Sequence, residues 1–196
     1  MERRTLLKLG LAGISVALAN KAWALKLYPK PSERKWAVLY GTWCGSSRDA
    51  GIWISEGMGG IADVFDVREN PGLKGFDYIV IGSSVRGFKI HPLIEKYIEE
   101  NKSWLKEKVR GLWVVCGNMQ KPPGPQQKET YIDNQLAKLC GVGHVPSKIF
   151  LGRMTKDLLE KEALEIMERM GLAQDYDNLK RADCLAFGKE ILASTK

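Results

Sequence analysis

The sequence predicts an α/β domain in which a parallel β-sheet carries helices on both faces. Short continuous apolar runs alternate with longer stretches of helical periodicity, and this alternation is typical of a sheet wound on both sides. Five runs read as buried strands: 36–40, 61–67, 76–82, 112–116 and 148–151. Five stretches read as helices: 47–58, 92–108, 129–140, 156–170 and 178–193.

Local signals support the individual elements. The first apolar run ends at Gly41, where a strand gives way to a turn. Pro92 suits the first turn of the helix over 92–108, because a backbone N–H is not needed at that position. Within 156–170 the apolar residues recur at helical rather than strand spacing.

The N-terminal residues 1–24 predict a twin-arginine export signal that does not belong to the fold. Arg3 and Arg4 precede a modest apolar stretch, 9–19, and the order small-x-small follows at Ala22-Trp23-Ala24. The apolar stretch is too short to span a bilayer comfortably. We therefore expect cleavage after residue 24 and a periplasmic or other extracytoplasmic location. An uncleaved amphipathic helix or membrane anchor is the alternative.

Residues 25–34 predict a linker, and residues 35–196 predict one domain. Pro29 and Pro31 lie in the linker, and proline removes a backbone donor and interrupts both helix and strand. The apolar content of 44% is sufficient for a single hydrophobic core.

The basic charge does not predict nucleic-acid binding. The formal net charge of +7 is dispersed along the chain, without a Lys/Arg block or an aromatic-basic recognition motif. The four cysteines lie far apart and only two histidines are present, so no zinc-site spacing exists. Up to two disulfides or four free thiols are both compatible with this pattern.

The turn at residues 41–47, after the first predicted strand, has the composition of an anion cradle. Its small residues allow successive N–H groups to point inward, and the helix that follows adds positive potential at its N-terminus. Thr42, Ser46 and Ser47 offer hydroxyl donors. Neither a Gly-Lys-Ser/Thr ending nor G-x-G-x-x-G is present. We expect a phosphate monoester held by neutral donors, and an ordinary Gly/Ser turn is the alternative.

This turn resembles the phosphate loop of flavodoxins. Residues 76–87, with the string Ile-Gly-Ser-Ser-Val-Arg at 81–86, are similar to the third strand and first flavin loop of one branch of that superfamily, the menaquinone-dependent protoporphyrinogen IX dehydrogenases. Residues 149–154 and 164–170 resemble the region after strand five in the same branch. The resemblance implies a flavodoxin-like fold, a five-stranded parallel sheet, and FMN as the cofactor.

The resemblance also implies which residues contact FMN. The phosphate would be held by Thr42, Trp43, Cys44, Gly45, Ser46 and Ser47. One edge of the isoalloxazine ring would contact Ser83, Ser84, Val85, Arg86 and Gly87. The other edge would be approached by Cys116, Gly117 and Asn118. Well-known flavodoxins enclose the ring between aromatic side chains, whereas these two ring loops offer Phe88 alone.

The implied function is electron transfer or a dehydrogenase activity, with a redox partner or a quinone and a link to heme metabolism. Arg86, Lys89 and Lys121 fall in the predicted flavin loops, where positive charge raises the reduction potential by stabilising reduced, anionic flavin. Ordinary solvated loop charges without such a role are the alternative. No catalytic acid or base is predicted. A flavodoxin-fold binding module that has lost FMN is the alternative. The amphipathic stretch 156–170 also suggests peripheral membrane contact, although its glutamates favour an ordinary surface helix.

Overall fold

A computed structural model describes residues 29–117, 122–171 and 173–195. The predicted export signal 1–24, part of the predicted linker and the predicted ring contact Asn118 lie outside the described residues.

The main sheet has five parallel strands and one short antiparallel strand. Its members are β1 (Trp36–Gly41), β2 (Ala62–Asp66), β3 (Tyr78–Arg86), β4 (Lys89–Ile90), β5 (Val109–Cys116) and β6 (Ser147–Leu151). The parallel strands follow the order β2-β1-β3-β5-β6, and β4 pairs antiparallel with β3. Two further strands, β7 (Arg153–Met154) and β8 (Tyr176–Asp177), form a separate ribbon. The predicted five-stranded parallel sheet is confirmed.

Five helices, apart from short 3-10 turns, accompany the strands in the described part of the chain. They are α1 (Ser46–Gly57), α2 (Pro92–Leu105), α3 (125–140), α4 (Lys161–Arg169) and α5 (Arg181–Ser194). Helix α3 is continuous but changes type, from α-helix at Pro125–Gln127 to π-helix at Lys128–Ala137 and back to α-helix at Lys138–Cys140. Among the described residues, none of the helices has the length and apolar character needed to cross a bilayer.

The two faces of the sheet carry separate hydrophobic cores. Alternation along β5 shows the division, because Leu112 and Val114 point to one face and Trp113 and Val115 to the other. Helices α2 and α3 cover the first face, and α1 and α5 cover the second. This arrangement confirms the prediction of helices on both faces.

The structure corrects the predicted end of the third strand. Residues 83–86 were expected to form a flavin loop, but β3 continues through Arg86 and turns into β4. Strand β1 stops pairing with β3 at Gly41, and β4 pairs with the end of β3 on that same side. Gly87 and Phe88 both have positive φ, 56° and 64°, as in the tight turns that match the twist of a hairpin.

The helix predicted over 156–170 is also interrupted. A short 3-10 turn at Lys156–Leu158 is followed by extended backbone at Leu159 and Glu160, and only then does α4 begin. The last helix starts at Arg181 rather than at the predicted residue 178. The Asn178 N–H donates instead to the Gly152 carbonyl at 3.1 Å, which ties this segment to the end of β6.

Helices α1 and α5 cross in backbone contact through two glycines. A Cβ added to Gly57 would lie 2.3 Å from the Leu185 carbonyl oxygen, and one added to Gly188 would lie 2.3 Å from the Ile54 carbonyl oxygen. Neither position tolerates a side chain unless the helices separate. This close contact between the two helices is structurally important because the turn that was predicted to bind phosphate leads directly into α1.

We expect Gly188→Ala to lower the free energy of unfolding by about 2–3 kcal/mol, the usual cost of forcing extra volume into a packed contact. Chemical denaturation measures this change. Gly72→Ala is the matched control, because a Cβ there meets nothing within 4 Å, and its stability should equal that of the wild type or exceed it slightly. Equal stability of the two variants would contradict the proposed close crossing.

Candidate functional site

A cavity of about 480 Å³ opens at the carboxyl ends of β1, β3 and β5. Ligands bind at this edge of open parallel sheets, because loop N–H groups and helix N-termini converge there. The residues predicted to contact FMN that line this cavity are Thr42, Trp43, Cys44, Ser46, Ser84, Val85, Arg86, Gly87 and Gly117. Strand pairing brings them together, since Gly41 lies opposite Ser83 and Val85 lies opposite Cys116.

Four other predicted residues do not line this cavity. Gly45 lines a smaller adjoining cavity of about 270 Å³. Ser47 and Ser83 are fully buried. The side chain of Cys116 belongs to the core beneath α2 and α3, and this burial raises its pKa to about 12.

Strand alternation explains why Cys116 is not at the cavity wall. Its neighbours Val115 and Gly117 line the cavity instead, because successive side chains point to opposite faces of the sheet. All four cysteines are free thiols. Only Cys44 lines the cavity, and burial raises its pKa as well, so it carries a neutral thiol at pH 7.

The turn between β1 and α1 presents an uncapped helix N-terminus. Gly45 precedes the helix with φ at 81°, a left-handed conformation that glycine adopts without strain. No side chain hydrogen-bonds to the first turn of α1 as a cap. The first N–H groups of a helix have no partner within the helix, and they give that end a partial positive charge. The turn can therefore receive an anion.

Three buried hydroxyl groups near this turn have no hydrogen-bond partner in the described structure. They belong to Thr42, Ser47 and Ser84, whose exposed fractions are 7%, 0% and 9%. A buried hydroxyl without a partner costs about 1–3 kcal/mol, so such groups are rare unless a ligand or water satisfies them. Two of the three, Thr42 and Ser84, lie on the cavity wall. The site therefore offers hydroxyl groups that no other protein group hydrogen-bonds.

Two other predicted hydroxyls already have partners. The Ser46 hydroxyl donates to the Arg153 carbonyl and accepts from the Arg153 N–H, both at 3.2 Å, so it attaches β7 to the turn. The Ser83 hydroxyl donates to the Ser84 carbonyl at 2.9 Å and accepts from the His91 N–H at 2.8 Å. These two serines position the site rather than offer free donors to a ligand.

The indole of Trp43 contacts both a cation and an imidazole. The Arg86 guanidinium lies 4.4 Å from the centroid of the Trp43 ring, and the His91 ring centroid lies 4.5 Å from it. Burial lowers the pKa of His91, and its Nδ1 accepts the Leu93 N–H at 3.3 Å as the cap of α2. Arg86 also donates to Glu160 at 2.9 Å, a contact that lowers the pKa of that carboxyl.

Residues from the segment 152–177 complete the cavity and were not predicted as ligand contacts. They are Gly152, Arg153, Met154, Leu159, Ala163, Ile166, Met167 and Tyr176. Arg153 forms an ion pair with Asp49 of α1 and lies 3.7 Å from Asp177. Helical spacing in the sequence identifies an apolar stripe in this segment, but it does not show that the stripe faces the strand ends. The peripheral membrane contact suggested for this segment stays a prediction.

Phe88 does not take part in the cavity. It occupies the tip of the β3–β4 hairpin and is 77% exposed. The side-chain amide of Gln135 fixes this turn, since it donates to the Phe88 carbonyl at 3.0 Å and accepts the Ile90 N–H at 3.1 Å. The aromatic side chains on the cavity wall are Trp43, which the resemblance places at the phosphate, and Tyr176.

Comparison with known proteins agrees with the architecture. Oxidised flavodoxin 1 from Bacillus cereus is 17% identical with a TM-score of 0.50, over 81% of this chain and 97% of the flavodoxin. Two-electron reduced Megasphaera elsdenii flavodoxin is 15% identical with a TM-score of 0.51, over 81% of this chain and 98% of its own. The Flv1 flavodiiron core from Synechocystis is 13% identical with a TM-score of 0.55, over 93% of this chain but 40% of its own.

Curated protein sequences give no match to this chain. A family model, described as the flavodoxin domain, matches residues 37–176, which include the six strands of the main sheet apart from Trp36 and the whole cavity wall. The parallel strand order and the position of the cavity agree with that match. The chain therefore belongs to the flavodoxin domain family.

Proposed function

We propose that this protein binds FMN at the strand-end cavity and acts in electron transfer. The observation that carries the proposal is the group of three buried, unpartnered hydroxyls beside the uncapped N-terminus of α1. A phosphate monoester would accept from the Thr42 and Ser47 hydroxyls and meet the positive end of the helix, and the Ser84 hydroxyl would be left for the ring. The remaining wall of the cavity is largely apolar, as a planar ring requires.

The residues divide into two groups by the part of FMN that they would contact. Thr42, Ser47 and the first N–H groups of α1 would hold the phosphate, and Ser84, Arg86 and Gly117 would lie beside the ring. Arg153 is already paired with Asp49, so the phosphate would be held mainly by neutral donors. Bound flavin supplies electron transfer in steps of one or two electrons. The chain orients the ring and excludes water from it.

We expect the purified protein to take up FMN, with Ser47→Ala and Thr42→Val each weakening FMN binding about tenfold. Hydrogen bonds to a charged phosphate are worth about 1.5–3 kcal/mol each, and neither hydroxyl has a partner within the protein to lose. Fluorescence titration measures the dissociation constants. The affinity for riboflavin, which lacks the phosphate, should not change.

Ser32→Ala is the matched control, because Ser32 is exposed and does not line the strand-end cavity. A colourless protein that takes up no added FMN would reject the proposal. That result would favour the alternative, a flavodoxin-fold binding module that has lost its cofactor.

Arg86 is the residue that we expect to raise the reduction potential of bound FMN. It lines the cavity, but solvent and Glu160 offset part of its charge, so its effect is limited to about 1 kcal/mol. Arg86→Gln should therefore lower the two-electron midpoint potential by about 20 mV. Glu160→Gln should raise the potential by a similar amount, because it leaves the arginine charge uncompensated.

A redox titration against dyes of known potential measures both shifts. Lys89→Gln is the control, since Lys89 is exposed on β4 and does not line the cavity. Equal potentials in all three variants would exclude Arg86 as the tuning residue.

We also propose that the electron partner is a quinone or an intermediate of heme metabolism. Support comes from the resemblance of residues 76–87 and 149–154 to the protoporphyrinogen dehydrogenase branch and from the cation on the cavity wall. Whether the protein is an enzyme or a carrier depends on whether the reduced form is reoxidised by a free quinone or only by a partner protein. Stopped-flow reoxidation with a soluble quinone separates the two.

Export by the twin-arginine route is a further part of the proposal. It is supported by the arginine pair, the short apolar stretch and the small-x-small order within residues 1–24. In a host with this pathway we expect periplasmic protein whose mass corresponds to cleavage after Ala24, and Arg3→Lys with Arg4→Lys should retain the protein in the cytoplasm. Unprocessed cytoplasmic protein from the unaltered sequence would contradict export.

A further inference from the structure

We propose that helix α4 is the cover of the ring site and packs its aliphatic side chains on the flavin, an inference that rests on the FMN proposal. The helix, together with the residue that caps its C-terminus, has an apolar stripe formed by Ala163, Ile166, Met167 and Met170 at helical spacing. Its glutamates lie outside this stripe, and those at 162, 165 and 168 are exposed.

The apolar stripe has no place in either hydrophobic core. No residue of α4 is buried, and Ile166 is 54% exposed although it lines the cavity. A surface helix with a strongly one-sided pattern normally buries its stripe against another element. In this protein the stripe faces the strand-end cavity, so a ligand in that cavity would cover it.

The opposite wall of the cavity defines the chemistry of that ligand. Thr42 and Ser84 present unpartnered hydroxyls there, next to the uncapped start of α1. An occupant must therefore be apolar towards α4 and carry hydrogen-bond acceptors towards the strand ends. A flavin with its phosphate has this distribution. Aliphatic contacts from Ile166 and Met167 would then supply, on one side of the ring, the packing that other flavodoxins obtain from aromatic side chains.

Helix α4 is attached to the domain by contacts that can open. Glu160, the residue that immediately precedes the helix, pairs with Arg86 at 2.9 Å, and the side chains of this ion pair are 55% and 37% exposed. The preceding turn is held by the Lys156 N–H, which donates to Asp175 at 2.8 Å. Exposed ion pairs contribute little to stability. The helix can thus move aside to admit the flavin and close afterwards.

Hydrogen exchange of the full chain tests the closure directly. FMN and riboflavin should each slow amide exchange across residues 161–169, because both contain the ring, whereas inorganic phosphate should leave it unchanged. Bound FMN with unchanged exchange in this helix would overturn the proposal.

Substitutions on the stripe provide the second measurement. The double variant Ile166→Ser with Met167→Ser should weaken both riboflavin and FMN about tenfold, because two aliphatic contacts with the ring are lost. Met170→Ser is the matched control, since Met170 lies on the same stripe, is 63% exposed and does not line the cavity. Far-UV circular dichroism and thermal melting check that the fold is retained, as expected for a helix without buried residues.

The outcomes separate this inference from the proposed function. In one outcome, the double variant Ile166→Ser with Met167→Ser binds flavin as well as Met170→Ser does, while Ser47→Ala and Thr42→Val still weaken FMN binding. That result rejects the proposal that α4 covers the ring and leaves the proposed FMN site intact. Failure of the wild-type protein to bind either flavin rejects both.

Discussion

The pairing of β3 with β1 on one side and β5 on the other is the constraint on which the site depends. It brings three turns that are far apart in the sequence to one edge of the sheet, with Gly41 opposite Ser83 and Val85 opposite Cys116. The glycine contact between α1 and α5 then fixes the direction of α1, whose N-terminus faces this edge. Hydroxyl donors and the positive end of helix α1 therefore converge at this edge.

The polar and the apolar parts of the cavity wall come from different parts of the sequence. The early turns, which end β1 and β3, supply the hydroxyls and the helix N-terminus, and the late segment 152–177 supplies most of the aliphatic wall. The Ser46 hydroxyl joins the two by bonding both backbone groups of Arg153. A phosphorylated ring can therefore be held at two ends by elements more than a hundred residues apart.

Arg86 connects the charge at the cavity to the start of helix α4. The same guanidinium lies over Trp43, faces the cavity and pairs with Glu160 at the start of α4. Its position depends on β3 continuing beyond the end of β1 and pairing with β4, in a hairpin whose tip is held by Gln135. A change of charge at the ring would consequently be felt by the ion pair that holds α4.

The sequence by itself determined the five parallel strands, the presence of helices between them and the Gly/Ser-rich turn after β1, because buried apolar runs, helical spacing and turn composition are local properties. It also identified most of the cavity wall on the β1 and β3 sides. Only the tertiary structure decided that residues 83–86 are strand, that Cys116 points into the core, and that the Ser46 hydroxyl bonds the backbone of Arg153. The position of α4 at the cavity could not be predicted from the sequence either. An amphipathic pattern shows which face of a helix is apolar, but it does not show what that face packs against.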